Sequence, residues 1–125
     1  TEKRRVLVVD DEADIREIIG TSLEYAGFEV IYAETGEVAL EVIEESGGGI
    51  DLILLDIRLP GMNGIEAYNH IASRWSELAE RVVFVTGDTL SADIRHFLQQ
   101  TGCTSINKPF KIRELVALAK LRVYG

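Results

Sequence analysis

Cysteine and long hydrophobic runs are both scarce in this 125-residue chain, and each scarcity argues against a class of protein. The single cysteine, Cys103, has no partner for an internal disulfide, which fits a reducing compartment. The longest apolar runs are about as long as a strand, so we expect no membrane insertion. No charged and then apolar N-terminal segment suggests secretion, and we therefore expect a cytoplasmic location.

Positive charge is also in short supply. Lysine and arginine number 13 against 21 aspartate and glutamate residues, which gives a formal net charge of −8. Fifteen of the acidic residues, but only four basic ones, fall within positions 1–56. A domain this short and this acidic binds nucleic acid poorly on its own, so we expect no direct nucleic-acid binding.

The length of the chain suits one domain, residues 1–125, with a core that needs no disulfide or metal to hold it. The chain begins with Thr1, and its only methionine is Met62. We therefore expect it to be a piece of a longer protein.

Strand-like and helix-like segments alternate five times along the chain. The helical segments show apolar residues three and four positions apart, as in Ile15, Ile18 and Ile19. Such alternation predicts an α/β fold, a single (βα)5 doubly wound parallel sheet with right-handed crossovers and helices on both faces. The predicted strands are Arg5–Val9, Glu29–Ala33, Leu52–Leu55, Val82–Thr86 and Ser105–Asn107.

Charged residues stand where several of these strands end. Asp10 and Asp11 follow the first strand, Asp56 follows the third, and Lys108-Pro109 follows the fifth. The carboxyl ends of parallel strands meet at one crevice, where three carboxylates repel one another unless a cation joins them. Carboxylates with a lysine opposite suit Mg²⁺ and a phosphoryl group, so the pattern predicts a site for both.

Each of these residues also has an ordinary explanation. Asp10 and Asp11 could cap the first helix, and Asp56 could belong to a turn before Pro60-Gly61. Thr86 could be a plain strand residue and Lys108 a solvated lysine. Their joint occurrence favours the functional interpretation.

Four motifs, in this order and about one βα unit apart, resemble the receiver domain of two-component response regulators. The resemblance covers essentially the whole chain and implies the flavodoxin-like strand order 2-1-3-4-5. The motifs are Val6-Leu7-Val8-Val9-Asp10-Asp11-Glu12, Leu54-Leu55-Asp56-Ile57-Arg58-Leu59-Pro60-Gly61-Met62-Asn63-Gly64, Val85-Thr86-Gly87 and Asn107-Lys108-Pro109-Phe110.

The resemblance implies a role for each matching residue. Asp56 is similar to the phosphoacceptor, which attacks phosphohistidine on a sensor histidine kinase or its phosphohistidine domain. Lys108 resembles the lysine that pairs with a phosphoryl oxygen, and a cis Lys108–Pro109 bond is implied. Thr86 resembles the hydroxyl that hydrogen-bonds another phosphoryl oxygen. For Mg²⁺, which Mn²⁺ can replace, the implied protein ligands are Asp11, Asp56 and the backbone carbonyl of Arg58, with Asp10 acting through water.

The chain departs from the family pattern at Ser105, where the family usually has an aromatic switch residue. Output is therefore expected to travel differently, or the phosphate simply to be passed on. Arg58 is expected either to shield an acyl phosphate from water or to pair with Asp88. The motifs around Thr86 and Lys108 look similar to the receivers of hybrid sensor kinases, although a stand-alone regulator or the receiver of a transcription factor reads almost the same.

The fifth predicted helix carries apolar residues away from its inward stripe. Leu118, Leu121 and Tyr124 belong either to a wide core face or to a surface for a partner. A homodimer or a downstream partner bound through the fourth and fifth helices is the second interpretation.

Other functions compete with the phosphorylation switch, whose only turnover would be its own phosphorylation and dephosphorylation. A docking module that works without phosphorylation is left open by Ser105. An aspartate-nucleophile phosphatase normally has a second aspartate two residues after the nucleophile, where this chain has Arg58. A nucleotide-binding fold is disfavoured because Asp10-Asp11-Glu12, and not a glycine-rich turn, follows the first strand.

Overall fold

A five-stranded parallel sheet lies at the centre of the computed structural model, which describes residues 3–87 and 91–125. Its strand order, β2-β1-β3-β4-β5, is the predicted one, and the predicted α/β fold class is confirmed. The strand bounds differ from the prediction by one residue at the end of β3 and at the start of β5. The strands are β1 (Arg5–Val9), β2 (Glu29–Ala33), β3 (Leu52–Asp56), β4 (Val82–Thr86) and β5 (Thr104–Asn107).

Helices cross between the strands on both sides of the sheet. The short α4 was not predicted, so the predicted fourth and fifth helices correspond to α5 and α6. No helix within residues 3–87 and 91–125 is long and apolar enough to cross a membrane. The helices are α1 (Ala13–Tyr25), α2 (Gly36–Glu45), α3 (Gly64–Arg74), α4 (Ser76–Ala79), α5 (Ala92–Thr101) and α6 (Ile112–Tyr124).

The core has two layers because side chains of a strand alternate between the two faces of the sheet. Leu7 and Val9 of β1 face the layer that includes α2 and α3, whereas Val6 and Val8 face α1 and α6. All four side chains are at most 1% exposed. Burial on both faces explains why β1 and β3 are continuous apolar runs and not alternating ones.

The outer face of α6 divides between core and solvent. Leu118 packs against the core layer beneath α1 and α6, which fits the wide-core interpretation. Tyr124 is largely exposed, but its ring stacks on Phe28 at 5.9 Å and lies under the guanidinium of Arg4. Leu121 is 63% exposed and Tyr124 is 62% exposed, so both leave side-chain surface open to solvent.

Candidate functional site

The carboxyl ends of β1 and β3 bring the three predicted acidic residues together. Val9 of β1 pairs with Leu55 of β3, so the residues that follow, Asp10 and Asp56, lie side by side. Asp10 and Asp56 are only 2% and 3% exposed, whereas Asp11 is exposed. One carboxylate oxygen from each of the three lies within 4.8 Å of those of the other two. The acidic cluster expected from the sequence is therefore present.

Lys108 joins this cluster from the end of β5. Its Nζ donates to Asp10 Oδ2 and to Asp56 Oδ2, each at 3.1 Å. Its backbone N–H donates to the carbonyl of Thr86 at 2.8 Å, which fixes the lysine to the end of β4. The Lys108–Pro109 peptide is cis, as the resemblance implies. The ammonium group of Lys108 is thus shared by two carboxylates that lie 98 and 52 positions before it in the chain.

Asp10 is held at four points. Its N–H donates to the carbonyl of Ala33, and its own carbonyl accepts from the guanidinium of Arg16. Its Oδ1 accepts from the N–H of Glu12 and its Oδ2 from Lys108. Glu12, not an aspartate, occupies the N-cap of α1, so helix capping does not account for Asp10.

Asp11 differs from Asp10 because its carboxylate is open to solvent at the rim of the cluster. The carboxylate of Asp11 is accessible from solvent, whereas both oxygens of Asp10 already accept hydrogen bonds. This difference fits the implied division of labour, in which Asp11 binds the metal directly and Asp10 acts through water.

Burial opposes the ionisation of Asp56. Its desolvation raises the pKa of the Asp56 carboxyl above its ordinary value, even though Lys108 and the N–H of Arg58 oppose the shift. Burial lowers the pKa of Lys108, but the hydrogen bond to Asp10 and the charges of Asp56 and Asp10 outweigh it and raise the pKa. Three carboxylates and one ammonium leave a formal charge of −2, which a divalent cation would balance. An all-oxygen, acidic donor set of this kind fits Mg²⁺.

The turn after β3 fixes Asp56 at its base. The N–H of Arg58 donates to Asp56 Oδ1 at 3.1 Å, and the N–H of Gly64 donates to the carbonyl of Ile57 at 2.9 Å. Asn63 and Glu66 cap the start of α3 reciprocally, the side chain of each accepting from the backbone N–H of the other. These positioning residues were not predicted, although an Asn followed three residues later by Glu is a known signature of a helix start.

Thr86 is fully buried at the end of β4, next to the strand that carries Asp56. Ser105 is exposed and lies beside Phe84 in the pairing of β4 with β5. The ring of Phe84 packs against Tyr68 and Phe97, with centroids 5.6 and 5.5 Å away. Aromatic packing near β5 therefore comes from β4, α3 and α5, and position 105 contributes none.

Two expectations about Arg58 stay predictions. Its side chain is exposed, and its N–H donates to Asp56 Oδ1. Its expected partner Asp88 lies outside the described residues. The two expectations are that the Arg58 carbonyl binds the metal and that the Arg58 side chain shields the phosphate.

His70, His96 and Cys103 do not belong to the acidic cluster. His70 and His96 are exposed on α3 and α5. Cys103 is partly buried against the core. Burial, together with a hydrogen bond to Cys103, raises the pKa of the Tyr68 phenol to about 12.

Comparison with known proteins agrees with this geometry. The family model described as "Response regulator receiver domain" matches residues 6–120. A transcriptional regulatory protein of Bacillus subtilis, YrkP, is 37% identical over 122 residues, and these cover 96% of this chain and 50% of that protein. The phosphate regulon regulatory protein PhoB of Pseudomonas aeruginosa is 38% identical over 117 residues, with coverage of 94% and 50%. A CheY-like receiver domain from Methanospirillum hungatei superposes with a TM-score of 0.88 at 30% identity, covering 98% of this chain and 95% of that one.

This chain spans about half the length of the curated relatives that it matches. The relatives lend no support to a phosphatase or to a docking module independent of phosphorylation. The family match, the sheet order and the cluster of acids around Lys108 all agree, and the chain belongs to the response regulator receiver domain family.

Proposed function

We propose that this protein is a phosphorelay switch in which Asp56 accepts a phosphoryl group from a phosphohistidine of a sensor histidine kinase. The observation that carries the proposal is the position of Lys108 Nζ, 3.1 Å from both Asp10 and Asp56 with Asp11 beside them. Phosphoryl transfer needs positioning and charge neutralisation more than covalent machinery, and these residues supply both.

The transfer itself requires one bond to form and one to break. A carboxylate oxygen of Asp56 attacks phosphorus, the P–N bond to the histidine breaks, and the imidazole leaves with the electron pair of that bond. The product is an acyl phosphate on Asp56. The Asp56 carboxyl is nucleophilic only in its ionised form, and burial opposes its ionisation.

Mg²⁺ is the proposed cofactor, with Mn²⁺ as a substitute, and it would supply charge neutralisation for the carboxylates and the incoming phosphoryl group. Asp11 and Asp56 would hold it directly, with the carbonyl of Arg58 as a further ligand and Asp10 acting through water. Lys108 would pair with a phosphoryl oxygen on Asp56, a role supported by the hydrogen bond that its Nζ donates to Asp56 Oδ2. Thr86 would donate its hydroxyl to another phosphoryl oxygen.

Within this proposal the domain, residues 1–125, has no turnover beyond its own phosphorylation and dephosphorylation. It acts in the cytoplasm, binds the kinase or its phosphohistidine domain, and contacts no nucleic acid or membrane by itself. The output proceeds through a homodimer or a downstream partner on α5 and α6, and a hybrid kinase is one setting for the domain. Several relatives carry the name "DNA-binding response regulator", so a longer protein with a separate output domain is an equally direct expectation.

Intact-mass analysis after incubation with acetyl phosphate and Mg²⁺ tests the proposal. We expect one added phosphoryl group, lost with EDTA and lost in Asp56→Asn. Asp93→Asn is the matched control, because Asp93 is exposed in the first turn of α5 and should leave labelling unchanged. Absence of labelling in the wild type, or labelling that survives Asp56→Asn, would overturn the proposal. Continuous release of phosphate from many unrelated phosphate esters would favour a phosphatase.

A further inference from the structure

Arg16 reaches from α1 to the peptide that joins the two acidic residues of the first loop. Its guanidinium Nη1 donates to the backbone carbonyl of Asp10 at 2.8 Å, and the side chain is partly buried. That carbonyl belongs to the Asp10–Asp11 peptide, so whatever holds it also limits the rotation that sets the direction of the Asp11 side chain. Within the described ranges, no carboxylate lies close enough to Arg16 to form an ion pair.

We propose that Arg16 is a positioning residue that aims Asp11 at the cation, an inference that rests on the proposed function. The other three points that hold Asp10 lie on its own N–H and carboxylate. The hydrogen bond from Arg16 holds the Asp10–Asp11 peptide at its carbonyl, whereas the hydrogen bond from the N–H of Glu12 to Asp10 Oδ1 closes the turn on the other side of Asp11. Because Asp11 is exposed and receives little support from packing, this restraint acts on the least constrained member of the cluster.

Charge repulsion and positioning by Arg16 predict opposite changes in the affinity for a divalent cation when Arg16 is removed. Arg16 is a permanent cation near an acidic site, so removing it should let a divalent cation bind several-fold more tightly through reduced repulsion. If Arg16 positions Asp11, removing it should weaken binding instead. Loss of an outer partner that orients a metal ligand typically costs about 10-fold or more in metal affinity. The sign of the change therefore separates the two effects.

The test compares Arg16→Gln and Arg16→Lys with the wild type, and uses Arg95→Gln as control because Arg95 is exposed on α5. Isothermal titration of the unphosphorylated protein with Mg²⁺ gives the affinity. We expect Arg16→Gln to bind about 10-fold more weakly, Arg16→Lys to fall between it and the wild type, and Arg95→Gln to match the wild type. The carbonyl carbon of Asp10 should also change its NMR shift in the metal-free Arg16→Gln protein.

Labelling kinetics supply the second readout. With acetyl phosphate, Arg16→Gln should need about 10-fold more Mg²⁺ for half-maximal rate while reaching the wild-type rate at saturation. A lower maximal rate at every Mg²⁺ concentration, or Mg²⁺ affinity equal to or above that of the wild type, would overturn the inference. Thermal melting of the metal-free variants checks that they fold. If the wild type binds Mg²⁺ but is never labelled, the proposed function fails while the inference about Arg16 is still decided by titration.

Discussion

Replacing Gly64 by alanine tests whether the turn after β3 holds Asp56 in place. A Cβ at position 64 would overlap the carbonyl oxygen of Asp56 and lie 2.7 Å from Cα of Ile57. Both neighbours are backbone atoms at the end of β3, so no flexible side chain can move aside. Either α3 or the strand end has to shift, and that shift would reach the phosphoacceptor.

The size of the effect follows from two opposing contributions. Overpacking costs about 1–3 kcal/mol, and backbone neighbours place Gly64→Ala towards the upper end of that range. Alanine recovers up to about 1 kcal/mol through its greater helix propensity. The free energy of unfolding should therefore fall by about 2 kcal/mol, which corresponds to a fall in Tm of about 8 °C for a domain of this size. A misplacement of about 1 Å at Asp56 should slow labelling by about 10-fold or more.

Thermal melting and the rate of labelling by acetyl phosphate measure the two effects. Gly49→Ala is the matched control, because its Cβ would meet only ordinary contacts at 3.4 and 3.6 Å, and we expect a change within about 0.5 kcal/mol. If Gly64→Ala has the same Tm as Gly49→Ala and is labelled at the wild-type rate, the turn does not position Asp56.

Three further predictions concern single side chains. Because burial raises the pKa of Asp56, the stability that its neutral form contributes is present below its ordinary pKa of 3.8 and lost as the pH rises through the folded value. Metal-free Asp56→Asn should accordingly have a higher Tm than the wild type at pH 7. Adding Mg²⁺ at about 100 times its Kd should stabilise the wild type by about 2.7 kcal/mol and the variant by less. An equal or lower Tm for the variant would contradict this. Arg58→Ala should shorten the lifetime of the acyl phosphate, measured by intact mass over time, and an unchanged lifetime would dismiss a shielding role. In an alkaline absorbance titration, Tyr68 should ionise near pH 12, after ordinary tyrosines, and this late step should vanish in Tyr68→Phe. Any stability that the raised pKa of Tyr68 contributes is complete below pH 10 and is lost as the pH rises towards 12.

The strands were predictable because their signal is local. Burial on both faces makes β1 and β3 continuous apolar runs, and residues such as Asp10 and Lys108 mark where strands end. Convergence of those ends is a general property of parallel sheets, so the acidic cluster could be anticipated without coordinates. The short α4 was missed, since one helical turn has too few residues to show a period.

The supports of the site were much harder to predict. The contact between Arg16 and the Asp10 carbonyl depends on where α1 packs, and a single arginine on a helix carries no sequence signal for it. The crowding at Gly64 likewise depends on the distance between α3 and β3, which no local pattern encodes. Sequence therefore indicated the chemical groups, while the atoms that orient them became visible only in three dimensions.

The contact of Tyr124 with Phe28 and Arg4 brings the last helix next to the first strand. The two ends of the described polypeptide are consequently neighbours. They lie where the strands begin, at the opposite end of the sheet from the acidic residues. A short flexible tether could join them, with little loop-closure entropy to overcome. A circular permutant opened at Gly47-Gly48-Gly49, where the backbone is exposed, should therefore keep its fold, and the module could be inserted whole into a surface loop of another protein.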